Sequence, residues 1–383
     1  MTAVAALLLT AFAPPAAAEG APARITDSII QIGIAQKVSS LTLRPRGRFA
    51  VVDQKTGETH DLVERRSYPV QARPGILHFG PYLFLGQVRL LPKGTQDYVE
   101  VGQKRYHGSL LLKPNKDATF TLIQETGLEE YLYGVLPKEM SPDWPREALR
   151  AQAVVARTFT LSNLGKFQRS GFDLSDDVRS QVYVGLDGQD PRATAAVRDT
   201  DGEVLYHKGR LLGAFFHSCC GGHTTSAAST WGAAPPAAAA RGVRDSFCAA
   251  SPHSRWTAYF TFDDILGALA RSGRIATRLK GVGLGPADRS GHLRSLKLFT
   301  DGGTFVVRAN DFRTWMGSTE LKSTKILRTT RRSKGYEFTG SGYGHGVGLC
   351  QWGARSMAER GKTYRQILQH YFPGADVRAR DDG

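Results

Sequence analysis

Between Pro145 and Gly165 runs a segment with no polar side. Ala148, Leu149, Ala151, Ala153, Val154, Val155, Ala156, Phe159 and Leu161 fall on every face of a 3.6-residue helix, and a helix that is apolar all round is a buried one. Pro145 suits its first turn, Glu147 sits near the positive end of its dipole, and Gly165 stops it. Whatever this chain folds into must cover that helix. Gln152, Arg157, Thr158 and Thr160 ride on it, so they have little solvent-facing surface. An unpaired buried charge is very costly, so Arg157 needs an anionic or carbonyl partner, or else faces a wet cleft. A structural ion pair and a place lining a site both remain open for it.

Upstream the pattern is that of strands. Ile30, Ile32 and Ile34 alternate with polar or small residues, as do Leu41 and Leu43, and Phe49–Val52 ends in the turn cluster Asp53–Gly57. Tyr82–Leu85, Val88–Leu91 and Leu110–Leu112 continue the series. Helix signals begin after Thr121, with a short helix over 128–134 and then a loop rich in Pro and aromatic residues over 137–145. Val197, Val204–Tyr206 and Leu211–Phe216 read as strands, Phe262–Leu269 as a helix, and 293–299 with 304–307 as a hairpin. Ala233–Ala240 reads as an Ala/Pro-rich surface loop, and the C-terminal segment as two helices after a Gly-rich loop. The fold class is α+β, with a β-rich N-terminal module over 25–120 and a mixed α+β domain over 121–380.

The chain of 383 residues is 41% hydrophobic and 22% charged, which excludes a disordered protein. Its net charge of +15 favours polyanionic partners. Ala3–Phe12 is apolar and is followed by Pro14, Pro15 and Ala16–Ala18, the grammar of an export signal over 1–18, although a basic n-region is missing. Export removes nucleic acid as a partner and turns the charge towards the cell wall, in a periplasmic or wall-associated setting. After that segment no stretch approaches the roughly 18 apolar residues of a membrane span. Cys219, Cys220, Cys248 and Cys350 are too few for a disulfide scaffold. A disulfide from Cys219 or Cys220 to Cys248 is the favoured reading, and a metal held by His217, Cys219, Cys220 and His223 is its rival.

No esterase elbow, Walker loop or H-E-x-x-H helix is present. Glu139 stands out as a carboxylate between Lys138 and Met140 in the Pro/Trp-rich loop, a setting for the raised pKa that a general acid near neutral pH requires. Lys138 would oppose that rise if it turned inward. Gly340, Gly342, Gly344, Gly346 and Gly348 leave His345 on a backbone open to close approach by a ligand or another strand.

The run EEYLYGVLPKEMSPDWPREALRAQAVVARTFTL, the SQVYVG at 180–185 leading to FFHSCCGGHT, and GYGHGVGLCQWGARSMA at 342–358 with YRQILQHYFPG resemble the signatures of the SpoIID/LytB family. The resemblance spans about 120–374. It implies an envelope protein that cleaves peptidoglycan glycan strands as a lytic transglycosylase, preferring strands stripped of stem peptides. LytB-like members are instead described as enhancers of a partner amidase, so a non-enzymatic enhancer or glycan-binding protein is the alternative. The family's catalytic Glu falls on Glu139 and its helix Arg on Arg157, while Gln181, Tyr183, His217, Tyr343, His345 and Gln351 are the expected substrate-binding residues. Some members carry zinc ligands just before the Gln-Val-Tyr motif; here 172–181 holds no Cys or His. Neither a metal nor a cofactor is expected.

Overall fold

A computed structural model describes residues 28–232 and 241–379. The expected export signal and the Ala/Pro-rich loop at 233–240 lie outside the described residues. Among these, the helices are α1 (Leu128–Glu139), α2 (Arg146–Ser162), α3 (Pro191–Arg198), α4 (Ala227–Trp231), α5 (Phe262–Arg271), α6 (Ala309–Met316), α7 (Gln351–Glu359) and α8 (Tyr364–Tyr371). With 25% helix and 38% strand, and strands concentrated at the N-terminal end, the fold is α+β.

The alternating N-terminal segments form two sheets. One has seven strands in the order Leu174–Ser175, Ile29–Val38, Phe120–Gly127, Ser109–Pro114, Val88–Pro92, Phe49–Asp53 and Thr59–Leu62. The other has six, in the order Lys104–His107, Tyr98–Val101, Ser40–Arg46, Tyr68–Arg73, Ile76–Phe79 and Tyr82–Phe84. Their inward residues, among them Val51, Leu90 and Leu112 from the first and Leu43, Val70 and Phe79 from the second, share one core. The expected turn at Asp53 is made by its carboxylate, which accepts from the backbone N–H of Lys55 and Thr56.

That core does not stop near residue 120. Strand Phe120–Gly127 pairs with Ile29–Val38 on one side and Ser109–Pro114 on the other. It runs directly into α1, whose first N–H, on Leu128, bonds the Ser28 carbonyl. Leu128, Tyr131, Leu132, Val135 and Leu136 of α1 complete the same cluster.

The apolar helix is buried as expected, and between two cores. Ala148, Leu149, Ala153 and Ala156 of α2 face the sheet-side cluster. Ala151, Val154 and Val155 face a second cluster built with Leu349, Ala354, Met357, Ile367 and Leu368 of the C-terminal segment. A third core joins α5, α6 and the strands between 256 and 340, including the expected hairpin, which turns at Asp301–Gly302. Val197, expected in a strand, lies in α3, where Asp190 caps the N–H groups of Arg192 and Ala193 and Pro191 occupies the first turn.

Arg157 explains how the helices are locked together. It has no exposed surface, and all five of its N–H donors are used. Nε and Nη2 reach the two oxygens of Glu129 at 2.7 and 2.6 Å, Nη2 also reaches the Val197 carbonyl at 3.1 Å, and Nη1 reaches the Glu203 carbonyl at 3.0 Å and Thr200 Oγ1 at 3.5 Å. One guanidinium therefore joins α1, α2, α3 and the strand Glu203–His207. Glu129 lies in the first turn of α1, where the helix dipole also favours its negative charge. Removing one partner leaves the other buried and unpaired, so Glu129→Gln or Arg157→Met alone should lose about 3–5 kcal/mol in urea unfolding. The double variant Glu129→Leu/Arg157→Met should lose less than the sum of the two.

Candidate active site

Helix α1 runs past its expected end. Gly134 is a close-packing residue: a Cβ there would sit 2.6 Å from the Tyr183 ring and 2.8 Å from the Gly185 carbonyl. Its absence lets the 181–185 segment lie against α1. Pro137 is accommodated in the last turn, and Glu139 is the final helical residue, with Met140 extended after it.

The consequence is a partly buried carboxyl at the negative end of a helix dipole. Glu139 Oε1 accepts a single backbone bond, from the Val182 N–H at 3.1 Å. Burial pushes the Glu139 pKa up to about 7, opposed only by that N–H, and the carbonyls at the helix end act in the same upward direction. Lys138 points to solvent and leaves this unopposed. The Glu139 backbone carbonyl accepts from Gln351 Nε2 at 2.8 Å, which ties the end of α1 to the start of α7.

The expected site residues divide into groups. Gln351 adjoins Glu139 directly. Gln181 and Tyr183 are buried and turned away: Gln181 Oε1 accepts from Thr160 Oγ1 at 2.8 Å, and the Tyr183 ring packs on Tyr131 and Tyr106. Their side chains pin the segment whose backbone, at Val182, aims at Glu139. Arg157 has no donor left for Glu139 or for a ligand, which corrects the expectation that it takes part in the chemistry.

His217 and His345 form a separate aromatic cluster with Trp231 and Phe215, with ring centroids 5.6 Å apart for the two histidines and 5.2 Å for His345 and Trp231. His217 Nδ1 bonds the Val347 carbonyl and His345 Nδ1 accepts from the Val347 N–H. Burial lowers the His217 pKa to about 4 and holds that of His345 well below its ordinary value, so both rings are neutral. Tyr343 packs against His253 and Lys322. The Gly-rich loop makes its close approach to a strand: Gly344 has φ +113, and a Cβ there would lie 2.7 Å from His217 Cβ.

Beside Glu139 the sequence reading missed two residues. Trp352 follows Gln351 and meets Trp144 edge-on at 5.1 Å, and the Arg355 guanidinium lies 5.3 and 5.0 Å from the two ring centroids. Trp352 stood inside the quoted C-terminal motif next to Gln351, which was the available signal.

The cysteines are all free. The expected disulfide is absent; Cys220 and Cys248 are adjacent, Sγ to Sγ 3.5 Å. The rival set of His217, Cys219, Cys220 and His223 is not assembled: among the described residues the donor atoms that converge are those of Cys220, Asp245, Cys248 and Cys350.

A family model described as stage II sporulation protein matches residues 116–207, and one described as a domain of unknown function matches 248–348. The chain is 36% identical over 284 residues to an uncharacterized protein of Brachyspira hyodysenteriae, covering 74% of this chain and 75% of that one. It is 29% identical over 279 residues to stage II sporulation protein D of Bacillus amyloliquefaciens, covering 68% and 76%. It is 27% identical over 290 residues to the amidase enhancer of Bacillus subtilis, covering 64% of this chain but 40% of that longer protein. The chain belongs to the SpoIID/LytB family.

The raised pKa has a thermodynamic signature. Between pH 4.5 and about 7 the folded protein keeps a proton that the unfolded chain has released at Glu139, so this group's contribution makes stability fall as pH rises through that window. Glu139→Gln removes the titration. Its stability relative to wild type should grow from about pH 5 to pH 8 by on the order of 1–3 kcal/mol, measured by denaturant unfolding across that range.

Proposed function

We propose that this protein is an exported lytic transglycosylase acting on peptidoglycan glycan strands, with Glu139 as its one general acid and base. The observation that carries this reading is the Glu139 carboxyl, its pKa raised to about 7 by burial with no charged group contributing to its shift. Burial also raises Asp176, but that carboxyl is paired with Lys104 at 3.3 Å. Hydrolytic glycosidases typically use two carboxyl groups. A lytic transglycosylase uses the sugar's own C6 hydroxyl as the attacking group and needs only one.

Glu139 protonates the oxygen bridging MurNAc and GlcNAc, and the bond from that oxygen to MurNAc C1 breaks. The C6 hydroxyl of the same MurNAc closes on C1 and gives its proton to the Glu139 carboxylate. The products are a GlcNAc hydroxyl and a 1,6-anhydro-MurNAc end, and no water is consumed. Intramolecular attack supplies proximity that would otherwise have to be arranged. In this account the Val182 N–H orients the carboxyl, Gln351 holds the end of α1, and Trp144 and Trp352 offer faces on which sugar rings stack. The charge of +15 suits strands bearing lactyl carboxylates, and strands without stem peptides are the preferred substrate. Among the described residues no helix is long and apolar enough to cross a membrane.

The match to an amidase enhancer favours a second reading, in which the same surface binds strands or a wall amidase without cutting. Digestion of purified strands, with and without stem peptides, separates the two. Wild type should release fragments one water lighter than hydrolysis products, and Glu139→Gln should release none. The wild-type rate should fall as pH rises above about 7. Reducing-end fragments would mean a hydrolase. No fragments, with amidase stimulation intact in Glu139→Gln, would establish the enhancer.

A further inference from the structure

We propose that Cys220, Asp245, Cys248 and Cys350 hold a zinc ion that fixes the start of α7. Three Sγ atoms and a carboxylate oxygen from three separate chain segments lie within 4.8 Å of one another, and all four residues are buried. Tetrahedral zinc, with Zn–S near 2.3 Å and Zn–O near 2.0 Å, needs donors about 3.5–3.8 Å apart. Here Cys220 Sγ is 3.5 Å from Cys248 Sγ and 3.2 Å from Asp245 Oδ2. Soft thiolates with one carboxylate suit zinc better than magnesium or calcium.

The surroundings are those of a supported ligand set. Tyr371 Oη donates to Asp245 Oδ2 at 3.0 Å, the Phe247 N–H donates to Asp245 Oδ1 at 2.9 Å, and the Cys220 N–H donates to Cys350 Sγ at 3.3 Å. Asp245 is 1% exposed, yet among the described residues no Lys or Arg forms an ion pair with it. A buried carboxylate without a cation is costly. A Cys220–Cys248 disulfide would leave that carboxylate without a cation, whereas a divalent ion supplies one and takes the Cys350 sulfur as a further ligand. A groove of about 570 Å³ lined by His223, Arg244, Asp245, Cys248 and Arg255 gives the ion a route in. Binding releases the three thiol protons to solvent and forms three Zn–S bonds and one Zn–O bond.

Cys350 immediately precedes Gln351 and Trp352. The ion therefore anchors the residues that meet the end of α1, which is a role the sequence reading did not assign.

The test uses the full chain purified under reducing conditions, with metal measured by mass spectrometry. About one zinc per chain is expected. Cys350→Ser and Asp245→Asn should weaken zinc retention against a chelator by ~10-fold or more, while Cys219→Ser, whose sulfur lies outside the set, should keep it. Should a variant fail to fold, cobalt titration of chelator-stripped wild type replaces it, and the intense visible bands of tetrahedral thiolate-bound cobalt should appear and be displaced by zinc. The proposal is overturned by metal-free protein that gives no cobalt bands, by zinc retention indifferent to Cys350→Ser and Asp245→Asn, or by a Cys220–Cys248 cross-linked peptide in the exported protein.

Discussion

A guanidinium with no exposed surface can persist only if every donor is answered, and at Arg157 each one is. Because the answers come from α1, from the end of α3, from the following loop and from strand Glu203–His207, satisfying this one side chain fixes where those elements stand around α2. The bidentate pair with Glu129 holds the beginning of α1. Glu139 is at the other end of the same helix, so the ion pair sets the axis along which its carboxyl is presented. A buried pair of this kind is not a large net source of stability, and its value lies in the arrangement it enforces.

The site then follows from three close approaches to that helix. Gly134 admits the 181–185 segment and so brings the Val182 N–H to Glu139. Gln351 reaches the Glu139 carbonyl from α7. Trp144 and Trp352, with Arg355 over both, wall the same region. No charged group, Arg355 included, contributes to the shift of the Glu139 carboxyl, and burial governs its pKa.

Much of the fold was legible in the sequence because it rests on local pattern. The alternation at Ile30–Ile34 and at Val88–Leu91 gave strands, and the apolar faces of α2 gave a buried helix, which the structure sets between two cores. Where the reading failed, longer-range packing decided. Gly134 looked like a helix stop because glycine usually is one, and only the Tyr183 ring across from it shows otherwise. Val197 was taken for a strand residue although Asp190-Pro191 ahead of it is a helix start. The Gln-Val-Tyr segment meets Glu139 through the backbone N–H of Val182, while the side chains of Gln181 and Tyr183 face inward, an orientation that no local pattern marks. Asp245 joining the cysteines could not be seen at all, because nothing local marks a residue brought in by tertiary folding.

The central claim is that the Glu139 carboxyl holds its proton up to neutral pH. Carbon-detected NMR of protein labelled at the glutamate side-chain carboxyl, titrated for wild type and Glu139→Gln, reads this directly. The account predicts one resonance with a midpoint near pH 7 that is missing from the variant. A wild-type spectrum in which every glutamate titrates below about pH 5 would contradict it.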